Sequence, residues 1–413
     1  MELFLIDGIG PFFRTLQKQK INWSKIPFEH LQIDTDQRRT VFDRIGADLD
    51  IFAGKVSHIG YNAVTLDDVA HLAPDPWLES RINLTIEDFR EEYRRFFAIL
   101  RSHGLNVYLT MDVLSFTPGL KAAIGGSKKK AAEFLIRQAN SVFSSFEEVS
   151  GIILRIGECD GNDVKGDFRS GLFLKTATDV NALIHQLLPV FERHDRNLIL
   201  RTWTIGAYRV GDLIWHRRTI SRVLYNIDSD HFILSMKYGE SDFFRYLPLN
   251  KHFFTAKVRK IIELQARREY EGCGEYPSFI GWDYRDYADQ LQQAEQMAGI
   301  SVWCQTGGWV PFRRLSYLDE EAVWNELNSF VTIKIFRENQ TVAQAVHEFG
   351  KQAGWGDHDA VLAFLKLNDE VIKGLLYIKE IASQKLFFRR IRIPPLLTVY
   401  WNNIFINHSI RVI

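Results

Sequence analysis

Several acidic side chains follow a short apolar run near the middle of the chain. Residues 152–155 end a run that is typical of a buried strand, and Gly157 breaks the run. Glu158, Asp160 and Asp163 come next, in a loop that contains Gly and Asn. A buried strand that delivers carboxylates into a loop is typical of an active site at the mouth of a barrel of alternating strands and helices. The alternative is a solvated acidic loop that binds nothing.

Two later segments carry further carboxylates. The first is KYGESDF, residues 237–243, which contains Asp242, and the second is REYEGCGEYP, residues 268–277, which contains Glu269. Cleavage of a glycosidic bond needs a carboxylic acid that protonates the leaving oxygen and a carboxylate on the opposite face of the sugar. Strand ends on opposite sides of a barrel mouth provide that separation, and we predict Glu158 and Asp242 at such positions.

Cations are predicted at the same rim, at Arg201 and Lys237. An Arg side chain can bind a carboxylate through two parallel hydrogen bonds, which favours an acidic sugar as the substrate. The alternative is a structural network in which the cations neutralise neighbouring carboxylates. The remaining candidates for substrate contact are Asp112, Trp203, Asp283 and Trp309. The Trp rings either stack on sugar faces or belong to the core.

Eight short apolar runs alternate with helical segments, and no hairpin signal joins two of them. This alternation predicts parallel strands with crossover helices. The predicted strands are Leu3–Ile6, Val56–Tyr61, Leu105–Met111, Ile152–Ile156, Asn197–Trp203, Phe232–Met236, Pro277–Trp282 and Ile300–Cys304. Eight parallel strands close into a barrel that side chains fill. We therefore expect an α/β fold, a (β/α)8 TIM barrel, with an open doubly wound sheet as the main alternative.

Helical periodicity predicts the segments between the strands and the end of the chain. Within the barrel it predicts helices at Leu84–Arg101, Lys128–Phe146, Phe173–His194, Phe254–Arg268 and Tyr287–Met297. Further helices are predicted at Val342–Gln352 and Asp357–Leu375, with Asp357 as an N-cap. We place the barrel in residues 1–330 and a short, mainly helical C-terminal extension in residues 331–413. We expect the aromatic tail to pack against the barrel or against the second subunit of a homodimer, not on a membrane.

The composition is that of a globular protein and argues against several functional classes. The chain has 413 residues, with 51 Lys and Arg against 51 Asp and Glu, and a net charge of zero argues against nucleic-acid binding by bulk charge. Three cysteines without metal-type spacing predict neither a disulfide framework nor a zinc site, and we predict no metal and no cofactor. The first residues lack the pattern of a signal peptide, and no apolar stretch is long enough to span a bilayer. We therefore expect a cytoplasmic protein.

Three segments resemble the catalytic segments of glycoside hydrolase family 67, the α-glucuronidases. KYGESDF matches the family pattern Lys-x-Gly-x-x-Asp-Phe at Lys237, Gly239, Asp242 and Phe243. The family pattern Glu-Leu-Gln followed by Glu-Tyr-x-Gly is similar to residues 263–265 together with residues 269–272. GECDG around Glu158 is similar to the loop that carries the family's acid, and LRTW around Arg201 resembles a strand-end Arg that contacts substrate.

The resemblance implies a barrel that removes glucuronic acid, or its 4-O-methyl form, from xylan fragments with inversion of configuration. It implies Glu158 as the general acid, and Asp242 and Glu269 as the residues that orient and activate water. The chain starts close to its first predicted strand, without the β-rich N-terminal domain of that family, and its C-terminal helical part is shorter. We therefore expect a divergent relative that takes an acidic oligosaccharide as its substrate.

Two other functions remain open on the sequence. One is a retaining glycosidase, with Glu158 as acid and base and with Asp283, near the predicted seventh strand, as the nucleophile. The other is a non-catalytic carbohydrate-binding or assembly protein on a barrel scaffold, because one barrel fold supports many functions.

Overall fold

Eight parallel strands close into a barrel in the computed structural model, which describes residues 1–14, 25–33, 35–156, 166–202, 218–240, 242–305, 314–377 and 379, apart from the side chains of residues 35 and 36. The strands are β1 (Leu3–Asp7), β2 (Ala63–Leu66), β3 (Asn106–Asp112), β4 (Val149–Arg155), β5 (Asn197–Arg201), β6 (Phe232–Lys237), β7 (Arg259–Gln265) and β8 (Met297–Trp303). Each strand pairs in parallel with the next along the chain, and β8 pairs with β1. The predicted (β/α)8 TIM barrel is confirmed.

The strands are apolar along most of their length because both of their faces are covered. One set of side chains fills the barrel interior and forms a cluster that includes Leu5, Ile153, Ile199, Ile233 and Ile261. The residues that alternate with them belong to the larger core that the strands form with the surrounding helices, among them Ile6, Ile152, Leu200, Leu234 and Ile262. The barrel is therefore a packed core whose accessible space lies at its ends.

Helices cover the outside of the barrel. The described helices are α1 (Gly10–Phe13), α2 (Thr35–Ile59), α3 (Ser80–Ser102), α4 (Pro118–Ile124), α5 (Lys128–Ser145), α6 (Ala177–His194), α7 (Thr219–Val223), α8 (His252–Thr255), α9 (Gly281–Leu291), α10 (Val323–Glu338), α11 (Val342–Gln352) and α12 (His358–Leu376). Two-residue strands at Ser115–Phe116 and Arg169–Ser170 form an antiparallel pair after β3 and β4. None of the described helices has the length and the apolar content that crossing a membrane requires.

The second predicted strand, Val56–Tyr61, is wrong. Its first four residues end α2, in which Val56 and Ile59 are buried while His58 between them is exposed, as helical spacing requires. The actual strand β2 is only four residues long and follows this helix closely. Asn62 therefore precedes β2, and its side chain bonds the Phe4 amide and the Glu2 carbonyl at the amino-terminal end of the barrel.

The predicted helix Phe254–Arg268 and the predicted seventh strand Pro277–Trp282 are also wrong. The first region contains only the last two residues of the short helix α8, followed by the strand β7, and the second leads into α9. The charged residues in the sequence RKIIELQ made β7 hard to predict as a strand, because the groups that they bond are known only from the folded structure. The Lys260 amine donates to the carbonyls of Ala256 and Val258, and the Glu263 carboxylate is satisfied inside the barrel mouth.

The C-terminal helices match their predictions more closely. Helix α11 has the predicted bounds, and α12 begins after Asp357, whose carboxylate accepts a hydrogen bond of 2.9 Å from the Ala360 amide. Helix α10 runs across residue 330, where we placed the boundary between barrel and extension. The position of that boundary stays a prediction.

Candidate active site at the carboxyl end of the barrel

Every barrel strand contributes to a cavity at the carboxyl end of the barrel. The space that a water molecule can occupy in it is about 10 Å³, within about 370 Å³ of non-atom space that includes open solvent. Its lining comes from the last residues of the strands: Asp7, Thr65, Thr110, Ile153, Arg155, Arg201, Ser235, Ile261, Glu263, Ser301 and Trp303. Strand register sets which charges meet there, because Arg155 lies beside Arg201 and Lys237 lies beside Glu263 on adjacent strands.

Glu263 on β7 organises one wall of this cavity. Its two carboxylate oxygens accept hydrogen bonds from Arg201 Nε at 2.8 and 3.0 Å. Ser235 Oγ and Trp303 Nε1 each add a hydrogen bond of 3.1 Å, and the Arg201 guanidinium lies 4.6 Å from the centre of the Trp303 ring. Burial acts to raise the pKa of Glu263, but the charge and hydrogen bonds of Arg201 outweigh it and hold the pKa below its ordinary value. Glu263 is therefore a carboxylate with four hydrogen bonds.

Lys237, at the end of β6, holds the first predicted base. Its amine lies 2.5 Å from Asp242 Oδ1 and 4.5 Å from the centre of the Phe243 ring. The Tyr270 hydroxyl donates a short hydrogen bond to the other oxygen of Asp242. Although burial acts to raise the pKa of Asp242, the Lys237 charge and these hydrogen bonds lower it, so Asp242 is ionised at neutral pH.

Glu269 follows β7 and is the neighbour of Tyr270 in the chain. Its Oε2 accepts hydrogen bonds from Gln265 Nε2 at 3.0 Å and from Arg267 Nη2 at 2.8 Å. The side chains of Asp242 and Glu269 keep 18% and 14% of their surface exposed. The two predicted bases are thus linked through Tyr270, which bonds Asp242 and follows Glu269 in the chain, and both reach solvent, although neither lines the cavity.

Asp112 and Arg155 form a second polar group across the mouth, at the ends of β3 and β4. Arg155 Nε donates to Asp112 Oδ1 at 2.7 Å, and the Lys25 amine lies 2.5 Å from the other oxygen and 3.1 Å from Asp68. Burial acts to raise the pKa of Asp112, but these two cations lower it strongly. Asp112 is therefore a buried, fully paired carboxylate, and its predicted contact with substrate stays a prediction.

Sequence reasoning missed three contributors to these groups, Lys25, Asp67 and Asp68, and singled out Glu263 only as part of a motif. Asp67 and Asp68 directly follow β2, and they were overlooked because the second strand was placed too early. Burial raises the pKa of Asp67 to about 6. Glu263 could have been found from the period of two in β7, where charged and polar residues alternate with Ile262 and Leu264. No local pattern points to Lys25, which reaches the site from a distant segment.

Asp283 does not lie at a strand end. It lies in the first turn of α9, where its carboxylate pairs with Arg245 at 2.7 Å and with Lys373 at 3.1 Å. The prediction placed it at the mouth because residues 277–282 were taken for a strand. Three other predicted site residues, Glu158, Trp203 and Trp309, lie outside the described residues. The strand that precedes Glu158, β4, ends at the mouth with Arg155.

The described residues contain no group of three or more His, Cys, Asp or Glu side chains that could hold a metal ion.

The barrel resembles those of known glycoside hydrolases. No protein-family model and no curated protein matches the chain. A family 138 glycoside hydrolase that targets pectin rhamnogalacturonan II superposes with a TM-score of 0.57 and 13% identity, over 92% of this chain and 45% of that one. A hyperthermostable endocellulase superposes with a TM-score of 0.45 and 11% identity, over 81% of this chain and 93% of that one. A β-mannanase from the blue mussel Mytilus edulis superposes with a TM-score of 0.41 and 11% identity, over 82% of this chain and 94% of that one.

The similarity to the family 138 enzyme shows a shared fold. The chain spans less than half the length of the family 138 enzyme, of which it covers 45%. None of the three structures is described as a family 67 enzyme, so the resemblance to that family rests on the sequence motifs alone.

Proposed function

We propose that the protein is a glycoside hydrolase that inverts configuration and acts on an oligosaccharide carrying a uronic acid. The observation that carries this proposal is the pair Asp242 and Glu269, two partly exposed carboxylates joined through Tyr270 beside β6 and β7. A pair of this kind can hold and deprotonate one water molecule, which is the task of the base in an inverting glycosidase.

The acid would come from the other side of the mouth. Glu158 follows β4, and β4 and β7 are separated by two strands in one direction around the barrel and by four in the other. In the proposed step Glu158 gives its proton to the glycosidic oxygen while the bond from that oxygen to the anomeric carbon breaks. The oxygen of water bonds to the anomeric carbon from the opposite face, and its proton goes to Asp242 or Glu269.

An acidic substrate is supported by the cations at the mouth and by the motif resemblance. Arg201 and Lys237 lie on adjacent strands and each bonds a carboxylate, Glu263 or Asp242. A bound uronate would share one of these cations.

The test is a screen of oligosaccharides capped by a uronic acid, each paired with its uronate methyl ester. The pair differs by one charge, so a preference for the free acid of tenfold or more in kcat/KM supports recognition of the carboxylate. Equal rates on acid and ester would move the substrate to neutral sugars. Glu158→Gln should abolish turnover on every substrate, whereas Asp160→Asn in the same loop should retain it.

A retaining glycosidase is the second candidate, and the position of Glu263 favours it. Glu263 lies on β7, lines the cavity and is ionised, as a nucleophile must be. Its four hydrogen bonds weigh against it, since each one stabilises the carboxylate and lowers its nucleophilicity. The anomeric form of the first product separates the two candidates.

A further inference from the structure

A fully buried ion cluster lies directly behind the proposed base pair. Glu271 at its centre is 0% exposed. Arg245 donates to its two oxygens at 2.9 and 3.0 Å, and Arg268 donates at 3.1 Å through Nε and at 2.5 Å through Nη2. Burial acts to raise the pKa of Glu271, but the two guanidinium groups hold it well below its ordinary value. The cluster is therefore charged throughout, and its geometry is set by paired hydrogen bonds.

The cluster ties together the two segments that carry the proposed bases. Arg245 follows Asp242 by three residues, and Glu271 follows Glu269 by two. The pair of hydrogen bonds between Arg245 and Glu271 therefore fixes one segment against the other, and the hydrogen bond from Tyr270 to Asp242 adds a second link. Any displacement of this ion pair changes the separation of the two carboxylates.

The backbone of the Glu269 segment needs such support. Arg268 and Cys273 have φ values of 45° and 53°, in the left-handed region that non-glycine residues rarely adopt. Conformations of this kind persist only where surrounding contacts hold them. Here the Arg268 side chain bonds Glu271, and the Cys273 amide donates to the Arg268 carbonyl at 3.0 Å.

The C-terminal helix α12 completes the cluster. The Tyr377 hydroxyl, just after this helix, donates to Glu271 at 2.8 Å. Asp369 of α12 lies 2.9 Å from Arg245, and Lys373 bridges Asp369 at 2.8 Å and Asp283 at 3.1 Å. Helix α12 thus touches the groups that fix the base pair without itself lining the cavity.

We propose that Tyr377 and α12 are positioning elements of the active site: they hold the cluster of Arg245 and Glu271 and thereby set the separation of Asp242 and Glu269. This inference rests on the proposed function, in which the two carboxylates orient one water. A misplacement of about 1 Å in such a pair can lower turnover by 10²-fold even when the mutated residue lies away from the chemistry. Helix α12 and Tyr377 then support the active site and are not an independent appendage.

The test compares Tyr377→Phe with Glu348→Gln. The first variant removes one hydroxyl from the cluster and keeps the ring, so the fold should survive. The second removes an ion pair of 2.8 Å between Lys334 and Glu348 in the same extension, away from the cluster. We expect Tyr377→Phe to lower kcat about tenfold with KM within twofold of wild type, and Glu348→Gln to leave both unchanged.

A second readout does not depend on activity. Burial raises the pKa of the Cys273 thiol to about 12, so this thiol should react slowly with iodoacetamide in the native protein. We expect Tyr377→Phe to speed alkylation of Cys273 at least fivefold, measured by mass spectrometry of the peptide, with no change in Glu348→Gln. If the wild-type protein hydrolyses no uronide, the proposed function fails. The alkylation rates alone then decide whether Tyr377 stabilises the segment from Arg268 to Cys273.

Three results would overturn the proposal. The first is a folded Tyr377→Phe protein with wild-type kcat, whatever the alkylation rate. The second is equal loss of kcat in Tyr377→Phe and Glu348→Gln, which would mark general destabilisation. The third is a loss confined to KM, which would place Tyr377 in binding and not in the positioning of the bases.

Discussion

Asp242 is held between a cation and a phenol, and this pairing fixes its protonation state. Lys237 lies 2.5 Å from one of its oxygens, and Tyr270 donates to the other. Each hydrogen bond stabilises the carboxylate form, so the group accepts a proton only in acid. A base that activates water needs this form at the working pH.

Replacing Lys237 by Met should raise the pKa of Asp242. A neighbouring opposite charge lowers the pKa of a carboxylate by about 1–3 units, so removing that charge should raise the pKa by a comparable amount. The base form is then lost at higher pH, and we expect the acidic limb of the pH profile of kcat/KM to move up by about one unit or more. Lys334→Met, which removes an amine of the extension, is the matched control. An acidic limb that stays in place, or moves down, would remove Asp242 from the role of base.

Buried His71 gives the stability of the protein a pH dependence that can be measured without substrate. Burial lowers the pKa of His71 from 6.5 to about 4. Between these two values the unfolded chain binds a proton that the folded chain excludes, so the free energy of unfolding falls as the pH falls through this range. Asp67 nearby, with a pKa raised to about 6, acts in the opposite direction over much of the same range.

Replacing His71 by Gln should remove the histidine component. The difference of about 2.5 pKa units corresponds to about 3 kcal/mol, by which the wild type loses more stability than the variant between pH 7 and pH 4. Urea unfolding at the two pH values measures this, with His58→Gln on the surface as the control. Parallel losses in wild type and His71→Gln would show that His71 titrates alike in the folded and unfolded chains.

At the scale of elements, local signals located some strands and helices and misplaced others. Strands β3 and β6 were located because most of their residues are apolar. Strand β7 was taken for a helix because the partner of its charged residue Glu263 lies across the barrel: Glu263 meets Arg201 from β5, which is 62 residues away in the chain. Strand β2 was displaced because its four residues are too few to show a period. The positions of both strands are set by pairing with distant parts of the chain, which a short stretch of sequence does not show.

The N-cap of α12, by contrast, depends on neighbouring residues and could be predicted. The Asp357 carboxylate accepts a hydrogen bond from the Ala360 amide at 2.9 Å and so satisfies one amide at the start of α12. We expect Asp357→Ala to lower the free energy of unfolding by about 1 kcal/mol, measured by urea denaturation. Asp357→Asn keeps the hydrogen-bond acceptor and should lower the free energy of unfolding by only a few tenths of that amount. Equal losses in the two variants would contradict a capping role.

The candidate site was predictable to the extent that its residues follow predicted strands or known motifs. Lys237 pairs with Asp242, Tyr270 links Asp242 to the segment that carries Glu269, and the motif resemblance had singled out Lys237, Asp242 and Glu269. Asp283 was misplaced because the strand before it does not exist. Glu263 was quoted within a motif, but its central place in the cavity wall depends on three other strands.

At the scale of the whole molecule, the barrel and the C-terminal helices act on one site. The barrel brings charged strand ends from all sides to a single cavity, and α12 reaches the ion cluster behind the proposed bases. The shared fold with glycoside hydrolases places no constraint on stereochemistry. The spacing of the carboxylates does, because an inverting enzyme must leave room for a water molecule between sugar and base.

The most direct test of this account is NMR spectroscopy of the anomer first released from a uronic-acid-capped oligosaccharide, with Glu158→Gln measured alongside. The account predicts release of the uronic acid with inverted configuration, before mutarotation mixes the anomers, and no release by the variant. Release of the retained anomer would contradict the inverting assignment of Asp242 and Glu269. No release from any uronide by the folded wild-type protein would contradict the proposed activity as a whole.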